Sequence, residues 1–355
     1  MRIFLFSVLA TILFHSCEES TRVLPRSWGD LDEVTFIEDA RYHSDSIYKL
    51  TDEKLRMQRG SYVQTQFAFS VLYKKYEDFD DHWSYHRNII FVGVLDQESQ
   101  YNETIKSLLG AEGVAKVMEG GFFRVERKAV WSSGQTVHIL VASDYQSMEA
   151  GLSKGLDRVV ESIEATEFEK IRSFVYSSGI NVDLTQELEN EHNINMKIPA
   201  TYRKHAKSNN NFHWYRKSTI DQTATVMLLE QPYTRSVQVT PDYAIFIRDS
   251  LGKRYERSQI EGAYMTTEKR IRPQIDTLSV NGHFAIRTQG LWRLVGDFMG
   301  GAYVNYLVYD EDNQRVIYLD AYVHAPDIKN KRKMMREHEA IITTFSVPKK
   351  DEVLN

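Results

Sequence analysis

Three potential metal ligands lie four residues apart in the first half of the chain. They are Asp78, His82 and His86. If residues 77–87 form a helix, the three side chains lie on one face, because positions four apart are neighbours on a helix surface. Imidazole and carboxylate groups are zinc ligands, although a closed site takes four. The spacing therefore indicates either a metal site or a polar helix whose histidines pack against neighbouring aromatic rings.

A group of aromatic residues and glycines in the second half is a candidate binding surface. Glycine lets a backbone approach a ligand or partner closely, and aromatic faces suit sugars, peptides and protein partners. The alternative is the core, because alternating strands point half of their aromatic side chains inward whatever the function. The candidate residues are Trp214, Tyr215, Trp292, Gly300, Gly301 and Tyr303.

A basic run near the C-terminus is a third candidate. It contains Lys329, Lys331, Arg332 and Lys333, and it predicts either contact with lipid headgroups or the solvated face of a helix. We find no nucleophile elbow, phosphate-binding loop, dinucleotide-binding turn or zinc-protease motif in the sequence. The motifs therefore predict no catalytic residue and no cofactor, and they favour a protein that is not an enzyme.

Composition limits the partners. The chain has 355 residues, 42% of them hydrophobic, which is enough for a buried core in two domains, or in one large domain with a tail. Its net charge of −5 does not fit the basic field that nucleic-acid binding requires. The single cysteine excludes an intrachain disulfide and any zinc site built from several cysteines.

The N-terminus predicts export. Ile3 to Phe14 is an apolar run of twelve residues that follows Arg2, which is typical of a signal peptide and shorter than the roughly 20 residues of a membrane span. Cys17 stands where a bacterial lipoprotein signal would be cut and lipidated. We therefore predict a signal peptide at 1–16 and palmitate-type lipidation at Cys17. The alternative is a plain secretory signal with an incidental free cysteine.

The remaining pattern predicts an α+β fold with two domains, in which antiparallel sheets are flanked by helices. Phe122 to Val130 and Thr136 to Ala142 are predicted to pair as a hairpin, and a long amphipathic helix follows from Ser143. The second half alternates strands with two helices, the first beginning at Thr240-Pro241. The predicted boundaries are a tether at 17–30, an N-terminal domain at 31–178, a linker at 179–193, a C-terminal domain at 194–348 and a tail at 349–355.

Short blocks along nearly the whole mature chain carry a family resemblance. They include Leu24-Pro25, His86-Arg87-Asn88-Ile89, Phe212 to Arg216, Tyr264 to Glu268, Met299-Gly300-Gly301 and Tyr322 to Pro326. With these blocks the chain resembles the Bacteroidetes lipoproteins catalogued as domain of unknown function 4837 (DUF4837). It departs from them at Ala302-Tyr303, where Pro-Phe commonly follows the glycines. The second half also resembles the α/β/α sandwich of PsbP/Mog1-like proteins, which implies binding or assembly.

The function predicted from these features is that of a lipoprotein of the cell envelope without enzymatic activity, acting in interaction or assembly. It would be anchored to the outer membrane through Cys17, on the periplasmic or the surface-exposed side, and would bind an unknown envelope protein and no nucleic acid. The alternative is an envelope protein that binds a ligand or a metal, including a hydrolase.

Overall fold

The computed structural model describes residues 23–39, 46–60, 62, 65–256, 260–328 and 330–348. Within these ranges the chain forms two β-sheets, one after the other in sequence. The predicted signal peptide, Cys17 and the tail at 349–355 lie outside the described residues. Among the described helices, none combines the length and the apolar character needed to cross a membrane.

The first sheet has five strands in the order β2-β1-β3-β5-β4. All neighbours are parallel except the β4–β5 hairpin, so the prediction of an antiparallel sheet is wrong for this half. The reason is a pair of helical crossovers, α1 between β1 and β2 and α3 after β3, since parallel neighbours need such connections. The elements are β1 (Glu33–Glu38), α1 (Ser46–Leu55), β2 (Ser70–Lys75), α2 (Asp81–Ser84), β3 (Asn88–Val94), α3 (Gln100–Met118), β4 (Phe122–Lys128), β5 (Thr136–Ala142) and α4 (Tyr145–Val175).

Helices cover both faces of this sheet. Ile90 and Leu140 pack with α4, whereas Phe91 and Ile139 pack in the cluster that contains α3 residues. Every residue of β3 and β5 is buried, which explains why both strands are largely apolar. The long helix predicted after Ser143 is confirmed as α4, and its cap is Asp144, whose Oδ1 accepts the N–H of Ser147 at 2.8 Å.

The second sheet has eight strands, and every paired neighbour is antiparallel. The order is β10-β11-β12-β13-β8-β7-β6, and β9 pairs with the far end of β11. This confirms the prediction for the second half. The strands are β6 (Arg203–Lys204), β7 (Phe212–Ser218), β8 (Thr223–Pro232), β9 (Tyr264–Thr267), β10 (Gln274–Val280), β11 (His283–Val295), β12 (Gly300–Asp310) and β13 (Arg315–His324).

Three helices enclose the second sheet. α5 (Val182–His192) and α7 (Lys331–Ile342) pack on one face, and α6 (Pro241–Tyr255) packs on the other. The predicted start of α6 is confirmed, because the Thr240 hydroxyl accepts the N–H of Tyr243 at 3.2 Å. The molecule therefore has the predicted α+β class, with an α/β/α sandwich in its second half.

Two segments treated as connections in the sequence are ordered parts of the fold. The predicted linker at 179–193 contains α5, whose Leu188 is fully buried in the core of the second half. The described end of the predicted tether pairs with the first half, since Ser27 N donates to Ser133 O at 3.0 Å and Ser133 N donates to Pro25 O at 2.7 Å. Neither feature is clearly marked in the sequence, because both segments are polar and bury only a few side chains.

Candidate functional site

A cleft of about 760 Å³ lies between the two halves of the molecule, and we call it the central cleft. Its walls come from the connection between α1 and β2, the middle of α4, the strands β10 to β12 and the inner face of α7. Ligand sites in proteins often lie at such junctions between domains.

Two arginines of α7 form the base of the central cleft. Arg336 donates to Asp32 at 2.6 Å, and Arg332 donates to Glu164 of α4 at 2.9 Å. Arg332 also lies 3.2 Å from Asp32. Arg332, Arg336 and Asp32 are all buried. The helix of the second half is therefore joined to the first half by hydrogen-bonded ion pairs. This corrects the interpretation of the basic run, because Arg332 is neither solvated nor free to contact lipid, while Lys329 lies outside the described residues.

The wall on the second sheet is a hydrogen-bonded network around Arg287. Its Nε donates to Glu339 at 2.8 Å and its Nη1 donates to Asp276 at 3.0 Å. The Tyr306 hydroxyl donates to the same Glu339 oxygen at 3.2 Å. Burial raises the pKa of Tyr306, so its phenol stays protonated and continues to donate. The network holds every charged group of this wall in a fixed position.

The charged groups of the central cleft are paired with one another. Its arginines are paired with carboxylates, including Arg59 with Glu164 at 3.2 Å. The described lining residues include no histidine, cysteine, serine or lysine, and their hydroxyl groups are those of Tyr62, Tyr306 and Thr343. Fixed donors and acceptors with nearly balanced charge suit a polar, uncharged group such as a peptide backbone.

The edge strand β10 borders the central cleft. Gln274, Ile275 and Asp276 line it, and the Ile275 side chain is 48% exposed. β10 pairs with β11 on one side only, so its second row of backbone N–H and C=O groups has no strand partner among the described residues. Such an edge is a template for another strand.

The strands at the four ends of the two sheet orders differ in how they are protected. β2 ends in two lysines, β4 carries Arg124, Arg127 and Lys128, and β6 has only two residues. Charged side chains, above all lysine, and short edges prevent unwanted pairing. β10 has seven residues and contains no lysine, arginine or proline. It is therefore the open edge among these four.

The structure does not assemble Asp78, His82 and His86 into the metal site that their spacing left open as one alternative. Asp78 ends a short 3-10 helix, and the Asp80 side chain caps α2 by accepting the N–H of Trp83, so residues 77–87 are not one helix. His82 stacks on Trp28, with ring centroids 4.5 Å apart, whereas His86 is buried with Nδ1 3.2 Å from Asn88 O. Within the described ranges there is no group of three or more His, Cys, Asp or Glu side chains arranged to hold a metal.

The aromatic candidates are in the core. Trp214, Tyr215, Trp292 and Tyr303 are at most 3% exposed, so they form no binding surface. The reason is that helices cover both faces of the second sheet, and inward and outward positions of its central strands are buried alike. Gly301 serves packing, because a Cβ there would lie 2.8 Å from the Trp292 Nε1 and 2.2 Å from the Val323 O. Gly300 is exposed at the start of β12.

Sequence reasoning missed the central cleft because its residues come from distant segments. Arg59, Glu164 and Arg287 lie more than 100 positions apart in the chain, and no local motif joins them. One signal was available. Arg332, Arg336 and Glu339 follow a spacing of four and three, which places three charged groups on one face of the final helix.

Part of the chain is similar to one protein family. Residues 181–344 match the family model described as Domain of unknown function (DUF4837), a range that includes α5. No curated protein matches the chain.

Similar solved structures concern the fold alone. The Ran-binding protein Mog1p of Saccharomyces cerevisiae is 11% identical with a TM-score of 0.31, over 43% of this chain and 89% of that one. A mutant of Mog1 is 10% identical with the same score, over 45% and 93%. A protein from Bacteroides thetaiotaomicron is 9% identical with a TM-score of 0.25, over 45% and 47%.

Proposed function

We propose that the protein is a non-enzymatic interaction module of the cell envelope that binds an extended polypeptide segment along β10. The observation that supports this most directly is the open edge of β10 beside the central cleft. Its seven residues are largely exposed, and no lysine, arginine or proline blocks them. A partner segment that adds to such an edge gains backbone hydrogen bonds along its length.

The central cleft would give the interaction its selectivity. Strand addition alone recognises any extended backbone, so side-chain contacts must select the partner. A segment paired with Gln274 to Asp276 would place every second side chain toward the cleft, where Arg59 is the most exposed guanidinium of the lining pairs, with 36% of its side chain accessible. Because Arg59 shares Glu164 with Arg332, it can turn to a carboxylate or carbonyl of the partner while Glu164 keeps a second cation. The partner chemistry is therefore an extended segment with polar or acidic side chains.

Site-specific photocrosslinking in cells of the producing organism tests this proposal. We would place the photoreactive residue p-benzoylphenylalanine at Ile275, and as a control at Phe246, which is 61% exposed on α6 and distant in sequence from the cleft residues. We expect a discrete polypeptide adduct from position 275 and not from position 246. The second variant is Thr277→Lys, which puts a charge on the exposed edge without removing a buried group.

Thr277→Lys should abolish the adduct from position 275 and leave the melting temperature unchanged. Equal adducts at 275 and 246, an adduct that survives Thr277→Lys, or no adduct at 275 would each contradict binding at β10. The melting temperature separates a blocked edge from a damaged fold.

Export and anchoring complete the proposal. The apolar run before Cys17 and the position of this cysteine support cleavage and lipidation there, which would hold the binding module at the outer membrane. Lipidation adds about 0.8 kcal/mol of membrane affinity per buried methylene, so two or more chains form a stable anchor. We expect labelled palmitate in the wild type and none in Cys17→Ser, which should leave the membrane fraction. Unlabelled wild type, or Cys17→Ser that stays with the membrane, would refute the anchor.

A further inference from the structure

Two histidines of the second half meet through their ring nitrogens. His192 is the last residue of α5 and His213 lies in β7. Their Nε2 atoms are 2.9 Å apart, and the rings stand nearly perpendicular, with centroids 4.6 Å apart and planes at 79°. His192 is 8% exposed in its side chain and His213 is 1% exposed. The two residues are 21 positions apart, so the fold alone brings them together.

Each imidazole has a carboxylate on its other nitrogen. His192 Nδ1 lies 2.9 Å from Glu230, and His213 Nδ1 lies 3.5 Å from Glu187. Both carboxylates are held in turn by cations, because Arg315 donates to Glu230 at 3.0 Å and Lys204 donates to Glu187. The arrangement is nearly symmetric about the Nε2 pair. Carboxylates that accept the second N–H of a histidine are the usual support of histidines that bind metals.

Proton accounting favours a cation between the rings. A neutral His192 that donates from Nδ1 to Glu230 has a lone pair on Nε2. If a neutral His213 donates from Nε2 to this lone pair, its Nδ1 is unprotonated and faces the Glu187 carboxylate. This buried Nδ1 has no hydrogen-bond partner among the described residues. If both rings donate from Nδ1, the carboxylates are satisfied and two lone pairs converge. An acceptor of lone pairs between the rings, which is either one further proton or a metal ion, resolves the arrangement.

We propose that His192 and His213 bind a divalent transition metal, with Zn²⁺ as the reference ion, through their Nε2 atoms. Two nitrogens at about 2.0–2.1 Å from one ion lie about 2.9–3.4 Å apart when the angle at the metal is about 90–110°, so the observed separation needs little or no change. Binding shifts the proton of His213 from Nε2 to Nδ1 without net proton release. Among the described residues, the two Nε2 atoms are the ligands already in place. The Glu191 side chain, whose Oε2 is 3.9 Å from His192 Nε2, would turn in as the third ligand, and water would complete the shell.

The site has an open side. The Glu191 side chain is 61% exposed and belongs to the same last turn of α5 as His192, so it can rotate toward the ion without moving the backbone. The position of His192 is fixed by Arg315, which donates to its carbonyl at 2.6 Å. Metal binding would therefore join α5 to β7 and β8, a role independent of the β10 edge.

Zinc titration of the purified full chain tests the proposal. After removal of metal with EDTA, we expect calorimetry to show one equivalent of Zn²⁺ bound and the melting temperature to rise with Zn²⁺, since a ligand of the folded state stabilises it. His213→Gln and His192→Gln should each abolish both effects. Glu191→Gln should weaken binding about tenfold, and Glu187→Gln by about 10–100-fold, as expected for a supporting carboxylate.

Two controls keep the result interpretable. His205→Gln removes a histidine that stacks on Trp214 and takes no part in the pair, so it should bind Zn²⁺ like the wild type. Glu191→Gln changes an exposed side chain and should fold normally even if the buried histidine variants do not. Absence of stoichiometric binding in the wild type would overturn the proposal, and so would binding that Glu191→Gln and the histidine variants leave unchanged.

Discussion

The two helices α6 and α7 that cover opposite faces of the second sheet both bury arginines, but with different partners. On α7, Arg332 and Arg336 reach Asp32, Glu164 and the Ala68 carbonyl of the first half through hydrogen bonds of 2.6–3.0 Å. On α6, Arg248 is 1% exposed, and its Nε lies 3.5 Å from Asp320. The Nε and Nη1 of Arg248 have no hydrogen-bond partner among the described residues.

The buried arginines of the two helices therefore have different structural roles. The α7 face uses its charges to fix the central cleft, because these pairs cross from one half of the molecule to the other. The α6 face keeps a charge pair inside a single core, where Arg248 lies 3.9 Å from the ring of Tyr303. An incompletely bonded pair in a core costs stability. We therefore expect the α6 pair to be energetically unfavourable as a unit and the α7 pairs to be needed for the junction.

The largest expected effect comes from breaking the α6 pair. Arg248→Met should lower the free energy of unfolding by about 3 kcal/mol, because it leaves Asp320 buried without its cation. The double variant Arg248→Met/Asp320→Leu should recover most of this loss, since apolar replacement of a buried pair is often neutral or stabilising. Urea unfolding measures both. A double variant no more stable than Arg248→Met would show that the pair is favourable and would remove the contrast with α7.

Breaking the ion pairs of α7 should lower the free energy of unfolding somewhat less than breaking the α6 pair. It should also change how the two halves unfold. Arg336→Met should lower the free energy of unfolding by about 2 kcal/mol, because Asp32 keeps Arg332 as a partner. It should also separate the unfolding of the two halves, which calorimetry would record as two transitions. Arg158→Met is the matched control, since Arg158 of α4 is 63% exposed. A single transition of unchanged width in Arg336→Met would argue against α7 as the connection.

The sequence predicted the second half of the molecule better than the first. Apolar periodicity and caps identified α4, α6 and the strands of the second sheet, because each of these signals is local. The crossover through α1 was missed, and with it the parallel order of the first sheet, since α1 has only three buried residues, Ile47, Thr51 and Leu55. The basic run was correctly placed on a final helix, but its burial against Asp32 depends on a residue 300 positions away.

The candidate sites show the same limit, because the sequence reveals local spacing but not long-range contacts. Residues close in sequence, such as Asp78, His82 and His86, suggested a site that the chain does not form, because Asp80 starts a new helix between them. The pair His192 and His213 and the charges of the central cleft are brought together only by strand pairing and helix packing. No spacing in the sequence marks such contacts.

The pH dependence of stability sharpens the comparison further. Burial raises the pKa of Asp320 to about 6, although Arg248 opposes this rise. A folded-state pKa above the unfolded value of about 3.9 means that the folded protein binds more protons between about pH 4 and 6. Asp320 therefore contributes stability at low pH that is lost as the pH rises through 6.

We expect this contribution to fall by about 1 kcal/mol between pH 5 and pH 7. The measurement is the difference in the free energy of unfolding in urea between the wild type and Arg248→Met/Asp320→Leu at both pH values. Taking this difference removes the contribution of the carboxylates that the two proteins share. Relative to the double variant, the wild type should lose stability on going to pH 7. An unchanged difference would mean that Asp320 stays charged throughout and that the α6 pair resembles the α7 pairs.

The smallest expected effect compares the first turns of the two helices. The Thr240 hydroxyl caps α6 by accepting the N–H of Tyr243 at 3.2 Å, and the Asn330 side chain caps α7 by accepting the N–H of Lys333 at 2.9 Å. Loss of such a cap costs about 1 kcal/mol. Thr240→Ala should show this loss in full, because the side-chain bond that remains in the first turn of α6 is the neutral one from the Tyr243 hydroxyl to Gln231 at 3.0 Å. Asn330→Ala should cost about half as much, since Arg332 still ties the first turn of α7 to Ala68 O and Glu164. Equal losses in urea unfolding would mean that the charges of α7 do not fix its first turn, and that their role is confined to Arg336 and the deeper part of the junction.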